Sequence, residues 1–132
     1  MYDETREVRE RCVKSFLDVI IASILMEKAS WGYEIIANIH EKLHILLSPG
    51  VIYPVLYSME KRGLIKKYEE SRKKFYMITK EGLIWLNEML DASKRIYDVI
   101  TVFKTREKEK SSENFSTITV PNETRKRGTS LS

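Results

Sequence analysis

The stretch SPGVIYPVLYSMEKRGLI, Ser48 to Ile65, decides the fold. It begins as a helix does, because Ser48 is a good N-terminal cap and Pro49 suits the first helical position. Gly50 and Pro54, however, are both unfavourable in a helix interior. Pro54 cannot bond to the Gly50 carbonyl and crowds it, and a glycine there removes one side chain from the crowding. Residues this costly for a helix indicate a surface that meets a partner.

A helical wheel divides this segment into an apolar face and a polar face. Ile52, Val55, Leu56 and Met59 recur at helical spacing and are predicted to pack on the core. The opposite face carries hydroxyls, cations and small or flat groups, and no carboxylate, which suits phosphates and base edges. The alternative for its tyrosines is packing against neighbouring elements. The residues of this segment predicted to bind DNA are Ser48, Pro49, Gly50, Tyr53, Pro54, Tyr57, Ser58, Lys61 and Arg62.

The next segment predicts a β-hairpin. Gly63 supplies a stop for the helix, and residues 64–79 are rich in Ile, Tyr, Phe and Thr, which favour strands. A polar turn interrupts them at residues 70–72. The tip is basic, and we expect Arg72, Lys73 and Lys74 to contact phosphates. The alternative is an ordinary solvated turn.

The flanking segments predict helices. Residues 1–12 form a polar helical lead-in, and apolar spacing predicts one helix from Val13 to about Glu27 and another from a Ser30 cap to about Leu43. Residues 80–104 form a long helix, and residues 105–132 lack an apolar period, which predicts a disordered basic tail. Three helices and a hairpin over residues 13–79 form the winged helix-turn-helix pattern, whose third helix enters the DNA major groove. The predicted fold is mainly α (α+β), a winged domain with a long C-terminal dimerisation helix.

Two apolar stripes run side by side along the long helix, each with heptad spacing. Covering both would need more protein than the chain has left, so part of this surface is predicted to meet a second copy. The alternative is that the first helix covers both stripes. The residues predicted to form the dimer interface are Trp85, Leu86, Met89, Leu90, Ile96, Tyr97, Val99, Ile100 and Phe103.

Three short stretches together resemble the PadR family of transcriptional regulators. They are GYEI (residues 32–35), LSPGVIYPVLYSMEKRGLI (residues 47–65) and KKFYMITKEG (residues 73–82), with Tyr76, Thr79 and Gly82 where that family has Y-x-x-T-x-x-G. The resemblance covers roughly residues 13–103. It implies a homodimeric repressor that binds double-stranded DNA, with a helical dimerisation element after the winged domain. Twofold symmetry then predicts an inverted-repeat operator, and the single cysteine of the chain predicts a cytoplasmic location. A single C-terminal helix resembles the short members of the family.

Composition agrees with a DNA-binding protein and excludes several other classes. The net charge is +4 and the isoelectric point is near 9.1, which favours an acidic partner. The single cysteine, Cys12, excludes an internal disulfide and favours an intracellular location. The longest apolar run, residues 19–26, is too short to span a bilayer, so no membrane partner is expected.

Two features compete with this interpretation. HEKLH, residues 40–44, matches the H-E-x-x-H zinc motif, with Glu41 as a general base. His40 and His44 are the only histidines and no third ligand is evident, so no metal, cofactor or enzyme activity is predicted. Trp31 and Trp85 are candidates for binding a small aromatic effector, although core packing is the more common role of such residues. A winged domain that binds protein instead of DNA is the remaining alternative.

Overall fold

Four helices and three strands follow one another in the computed structural model, which describes the backbone of residues 3–113 and the side chains of residues 3–104. The chain divides into two compact units, the first ending at Asp91 and the second beginning at Ala92. This mainly helical architecture with a small antiparallel sheet confirms the predicted winged-helix fold. The elements are α1 (Glu4–Glu27), β1 (Ser30–Trp31), α2 (Gly32–Leu43), α3 (Pro49–Lys61), β2 (Ile65–Glu70), β3 (Lys73–Ile78) and α4 (Lys80–Glu113).

The polar lead-in and the first predicted helix are one helix, α1. The Asp3 side chain caps it by accepting the Arg6 backbone N–H at 3.2 Å. An exposed ion pair one turn apart, Arg6 to Glu10 at 2.9 Å, adds a few tenths of a kcal/mol. Helical geometry is interrupted at Phe16, with φ −118° and ψ 29°. Polarity on all sides therefore does not prevent the lead-in from being helical.

The predicted cap at Ser30 is wrong. Ser30 and Trp31 form a short strand, β1, which pairs antiparallel with β3, and the sheet has three strands in the order β1-β3-β2. The Ser30 hydroxyl donates to the Lys28 carbonyl at 3.1 Å. The helix α2 begins after β1, where Glu34 Oε1 accepts the Trp31 backbone N–H at 3.1 Å. A strand this short shows no alternation of apolar and polar residues, so the sequence carries no signal for it.

The predicted hairpin is present as β2 and β3. Ile65 pairs with Ile78 at its base, and Glu70 pairs with Lys73 at its tip. Ser71 and Arg72 form the turn with φ of 51° and 67°. Positive φ at both central residues gives the turn that matches the twist of paired strands. Because neither residue is glycine, each left-handed conformation costs about 1–2 kcal/mol.

The core of the first unit draws on every helix and on the sheet. Its largest fully buried side chains are apolar, and most of them occupy the predicted helical stripes; they are Ile21, Ile35, Ile39, Ile52, Leu56, Met59, Ile65 and Leu86. Among the helices of the described residues, none is long and apolar enough to cross a membrane.

The last helix extends beyond its predicted end at residue 104, since α4 runs to Glu113. Glutamate and lysine are good helix formers, so a charged sequence by itself does not end a helix. The remainder of the predicted disordered tail, residues 114–132, lies outside the described residues.

Candidate nucleic-acid interface

The ends of α3 are fixed by the residues that the sequence predicts. Ser48 is the N-cap and its carbonyl accepts the Val51 N–H at 3.0 Å, while its exposed hydroxyl makes no capping bond. At the other end, Gly63 has φ of 77° and its N–H donates to the Glu60 carbonyl at 3.0 Å. The Leu64 N–H donates to the Met59 carbonyl at 3.0 Å, which completes a glycine-terminated cap.

The two faces of α3 have the predicted exposures. Ile52, Leu56 and Met59 are fully buried and Val55 is half-buried, so the inner face belongs to the core. The outer face is exposed at every position predicted to bind DNA, and Glu60, the helix's one acid, is half-buried at its edge. The exposed residues are Ser48, Pro49, Gly50, Tyr53, Pro54, Tyr57, Ser58, Lys61 and Arg62.

The predicted role of Gly50 in relieving crowding by Pro54 is wrong. A Cβ built on Gly50 meets only the Ser48 hydroxyl, at 3.7 Å, so the Pro54 ring is not close to it. The space beside Gly50 is open and faces outward. A glycine there leaves the backbone accessible to a partner that approaches closely.

Tyr53 is partly packed and partly exposed. A Cβ on Gly32 would collide with the Tyr53 phenol, which explains why glycine opens α2 at the start of GYEI. The ring remains 37% exposed. Burial, and secondarily the nearby Tyr33, raise the pKa of Tyr53 above its usual value of 10.0. The phenol oxygen is the Tyr53 atom nearest to a Cβ built on Gly32, so the hydroxyl end of the ring is the part packed against α2. Tyr53 therefore packs against Gly32 and still leaves part of its ring exposed on the outer face of α3.

Two cations near the outer face of α3 are matched by carboxylates. Arg62 donates to Asp18 Oδ2 at 3.5 Å, and its guanidinium lies 5.2 Å from the centroid of the Trp85 ring. Lys67 lies 3.8 Å from Glu60 Oε1. Each of these charges is partly neutralised within the chain, so it offers less to an incoming phosphate.

Two other cations are held by aromatic rings instead. The Lys61 ammonium lies 5.4 Å from the centroid of the Tyr57 ring, one turn away on α3. The Lys73 ammonium lies 4.2 Å from the centroid of the Trp31 ring in β1. A neutral ring attracts a cation without cancelling its charge. These two lysines are therefore positioned by a neutral ring and not by a carboxylate.

The hairpin tip is basic but not purely so. Arg72, Lys73 and Lys74 are all exposed, as a contact with phosphate requires. The register places Lys74 opposite Glu69 and Lys73 opposite Glu70. The tip therefore alternates charges across the strands, and only the turn residue Arg72 has no acid opposite it within the hairpin.

Thr79 joins the end of α3, the base of the hairpin and the start of α4. Its hydroxyl lies 2.7 Å from the Gly63 carbonyl oxygen and 3.0 Å from that of Leu64, and it accepts the Gly82 N–H at 2.9 Å. A Cβ on Gly82 would collide with the Leu64 carbonyl oxygen. Tyr76, the first residue of Y-x-x-T-x-x-G, is buried in the core. The motif thus fixes the hairpin against α3.

The two histidines of HEKLH do not share a helix face. His40 lies on α2, but His44 is beyond its end with a left-handed φ of 57°. Among the described residues, no group of three His, Cys, Asp or Glu side chains is placed to hold a metal ion. The helical geometry that a zinc site of this motif needs is not formed.

The predicted interface residues of α4 divide into buried and exposed sets. In the first unit, Leu86 is fully buried in the core, and Trp85 and Met89 pack against that core. Leu86 therefore presents no surface to a partner. In the second unit, the exposed apolar side chains include Val102, which the sequence reasoning did not assign. The predicted residues that are exposed are Leu90 in the first unit and Ile96, Tyr97, Val99, Ile100 and Phe103 in the second.

Comparison with known proteins identifies a family. A model of the transcriptional regulator PadR-like family matches residues 21–88. A transcriptional regulator from Clostridium thermocellum has 32% identity over 70% of this chain and 97% of its own, with a TM-score of 0.64. A PadR family transcription regulator from Clostridium difficile has 33% identity over 67% of this chain and 98% of its own, with a TM-score of 0.61.

A curated relative is much longer. The transcriptional regulator YqjI of Escherichia coli is 39% identical over 75 residues, which are 54% of this chain and 36% of that protein. The likeness is therefore limited to about a third of that relative.

Proposed function

Because the chain belongs to the PadR-like family of transcriptional regulators, we propose that it binds an inverted-repeat DNA operator as a homodimer and represses transcription there. Members of this family are DNA-binding regulators of transcription and not enzymes, which agrees with the prediction from the sequence. A protein that binds chromosomal DNA works in the compartment that holds it, so the proposal includes a cytoplasmic location.

The outer face of α3 is the observation that carries the proposal. It presents the exposed side chains of Tyr53, Tyr57 and Ser58 together with that of Lys61, and Glu60 at its edge is paired with Lys67. Donors without a competing acid suit phosphates and base edges. The inner face packs in the core, so the exposed part of the outer face is what α3 offers to the major groove.

The hairpin supplies the second contact in this proposal. Arg72, Lys73 and Lys74 bind the phosphate backbone and set the register of α3, while α3 reads the sequence. The small and flat residues of α3 and its N-cap allow the DNA backbone to come close to the helix; these residues are Ser48, Pro49, Gly50 and Pro54. Arg62 contributes less than the other cations, because Asp18 already accepts a hydrogen bond from it.

The exposed apolar residues of α4 are proposed to bind the second copy of the chain. Ile96, Tyr97, Val99, Ile100 and Phe103 are exposed in the single chain, and such an apolar row is typical of a protein interface. A twofold dimer presents two α3 helices to adjacent major grooves about 34–36 Å apart. Residues 13–79 are proposed to act as the DNA-binding part and residues 80–104 as the dimerisation part.

The hypothesis of a small aromatic effector gains no support from the two tryptophans. One face of Trp31 lies against Lys73, and one face of Trp85 lies against Arg62. One face of each ring is therefore already occupied by a cation of this chain.

The test is selection of bound sequences from random duplex DNA with the full chain. We expect an enriched inverted repeat whose half-sites are about 10 base pairs apart, centre to centre. A Ser58→Asp variant, which places a carboxylate on the outer face of α3, is the comparison and should enrich the repeat much more weakly than the wild type does. Enrichment of a single unrepeated site would contradict the dimer, and no enrichment by the wild type would contradict operator binding.

A further inference from the structure

We infer that Trp31 and Tyr33, at the start of α2, form a third DNA contact between α3 and the hairpin. In this contact Trp31 positions the Lys73 ammonium for the phosphate backbone, and Tyr33 donates its hydroxyl to a phosphate. The inference rests on the proposed function and deepens it, since it assigns a role to residues that the DNA-binding face of α3 does not include.

The position of Lys73 is the first observation. Its cross-strand partner is Glu70, yet among the described side chains no ion pair joins the two. The ammonium lies instead 4.2 Å from the centroid of the Trp31 ring, well within the range of a cation–π contact. The ring holds the side chain in one place without neutralising it. A cation held beside the hairpin turn without a direct ion pair is what a phosphate contact needs.

Contrast with Lys67 explains why the ring matters. Lys67 lies on the opposite face of the same hairpin and is paired with the Glu60 carboxylate at 3.8 Å. An anion that approaches Lys67 has to compete with that carboxylate. Lys73 has Glu70 opposite it in the register, but its close contact is with a neutral ring, so an anion can bind Lys73 while the cation–π contact persists.

Tyr33 connects this pair to α3. Its ring meets the Trp31 ring edge-on, with centroids 5.8 Å apart and planes at 64°. The intervening Gly32 lies against the Tyr53 phenol, so Tyr53 reaches the same corner from α3. The order Tyr53, Tyr33, Trp31, Lys73 therefore forms a row from α3 to the hairpin tip. Tyr33 is exposed, and a hydroxyl in such a row suits a phosphate.

The test measures binding by fluorescence anisotropy across a range of salt concentrations. The probes are labelled duplexes of equal length, one with the selected inverted repeat and one of mixed sequence. The variants are Trp31→Leu, Lys73→Ala, the double variant, Trp31→Phe and Tyr33→Phe. Tyr68→Phe is the hydroxyl control, because Tyr68 is an exposed tyrosine that stacks on Phe75 in the sheet, outside the row.

A positioning role predicts non-additive effects. Trp31→Leu should weaken binding about two- to fivefold, the worth of an exposed cation–π contact. It should have no further effect once Lys73 is alanine, because it acts through that lysine. Lys73→Ala should reduce the salt slope by about 0.9, one phosphate contact. Tyr33→Phe should weaken binding about two- to tenfold on both duplexes, and Tyr68→Phe should not.

Other outcomes overturn the inference in distinguishable ways. Additive effects of Trp31→Leu and Lys73→Ala would show that Trp31 serves the fold alone. If circular dichroism shows that Trp31→Leu is unfolded, Trp31→Phe replaces it, because phenylalanine keeps a weaker ring contact with Lys73. Trp31→Phe is then combined with Lys73→Ala, and the same test of additivity is applied. Equal effects of Tyr33→Phe and Tyr68→Phe would remove Tyr33 from the interface. A wild type without salt-dependent binding to either duplex would overturn the proposed function as well.

Discussion

The outer face of α3 and the apolar row of α4 in the second unit are both exposed helix faces, and their chemistry is opposite. The α3 face carries hydroxyls, a lysine, glycine and proline over an inner face that packs in the core. The α4 row carries branched and aromatic residues, with Ile96 60% and Phe103 64% exposed. A polar face outside a completed core indicates a polar partner, whereas exposed apolar residues indicate a protein surface that covers them. We therefore expect α3 to meet DNA and the apolar row of α4 to meet protein.

Charging the α4 row should break this comparison most strongly. Ile96→Glu with Val99→Glu places four carboxylates in a twofold interface, where unpaired buried charge costs several kcal/mol. We expect a monomer with a folded winged domain. Affinity for the operator should fall by about 100- to 10,000-fold, because the second half-site no longer adds its contacts. A gel shift measures the affinity and size-exclusion chromatography the assembly.

A control for that variant lies on the same helix. Lys94 and Asp98 form an exposed ion pair at 3.5 Å, so exchanging them as Lys94→Glu with Asp98→Lys preserves the pair and the net charge. This exchange should leave dimer and affinity unchanged. A full loss of affinity in the control would show that the helix, and not its apolar row, is sensitive to charge.

Adding an acid to the α3 face is the next strongest change. Ser58→Asp places a carboxylate among the donors, and repulsion of phosphate should lower operator affinity about tenfold to a hundredfold. Ser58 is exposed, so thermal unfolding should change little. Titration of the labelled operator measures the effect, with Ser58→Ala as the matched control. Unchanged affinity of the aspartate variant would mean that α3 does not face DNA.

Removing charge from the hairpin should act on all sequences alike. Lys73→Ala with Lys74→Ala should lower the salt slope by about 1.8, which corresponds to two phosphate contacts. The control removes two lysines elsewhere, Lys28→Ala with Lys42→Ala, and should leave the slope nearly unchanged. Equal slopes for the two double variants would attribute the salt dependence to net charge and not to the hairpin.

The smallest expected effect separates stability from binding. Arg72 has φ of 67°, which glycine adopts without strain. Arg72→Gly should therefore raise the free energy of unfolding by about 1 kcal/mol. It should also weaken DNA binding slightly by removing one phosphate contact. Denaturant unfolding measures the free energy of unfolding, and a salt titration measures DNA binding. A lower free energy of unfolding, together with weaker DNA binding, would contradict the assignment of the turn.

Periodic features of this chain were predictable and pairings between distant residues were not. The spacing of Ile52, Leu56 and Met59 indicates a buried face directly, because helical geometry is local. Gly63 and the polar turn are local signals of the same kind. The strand β1 was missed because two residues show no alternation, and its strand character comes only from pairing with β3.

The site shows the same division. Exposure of the α3 face follows from its helical wheel, as the sequence analysis expected. The pairing of Arg62 with Asp18 and of Lys73 with Trp31 joins residues far apart in sequence, and no spacing rule reports it. The burial of Leu86 depends likewise on which stripe of α4 faces the core. Which cations stay free for DNA is therefore a property of the fold and not of composition.

Light scattering of the wild-type protein, alone and on its selected site, tests the central claim most directly. The claim is that the polar face of α3 meets DNA while the apolar row of α4 meets a second copy. We expect a mass of two chains in free solution at micromolar concentration and two chains per duplex on the site. A wild type that is monomeric at that concentration and binds its site as one chain per duplex would contradict the account.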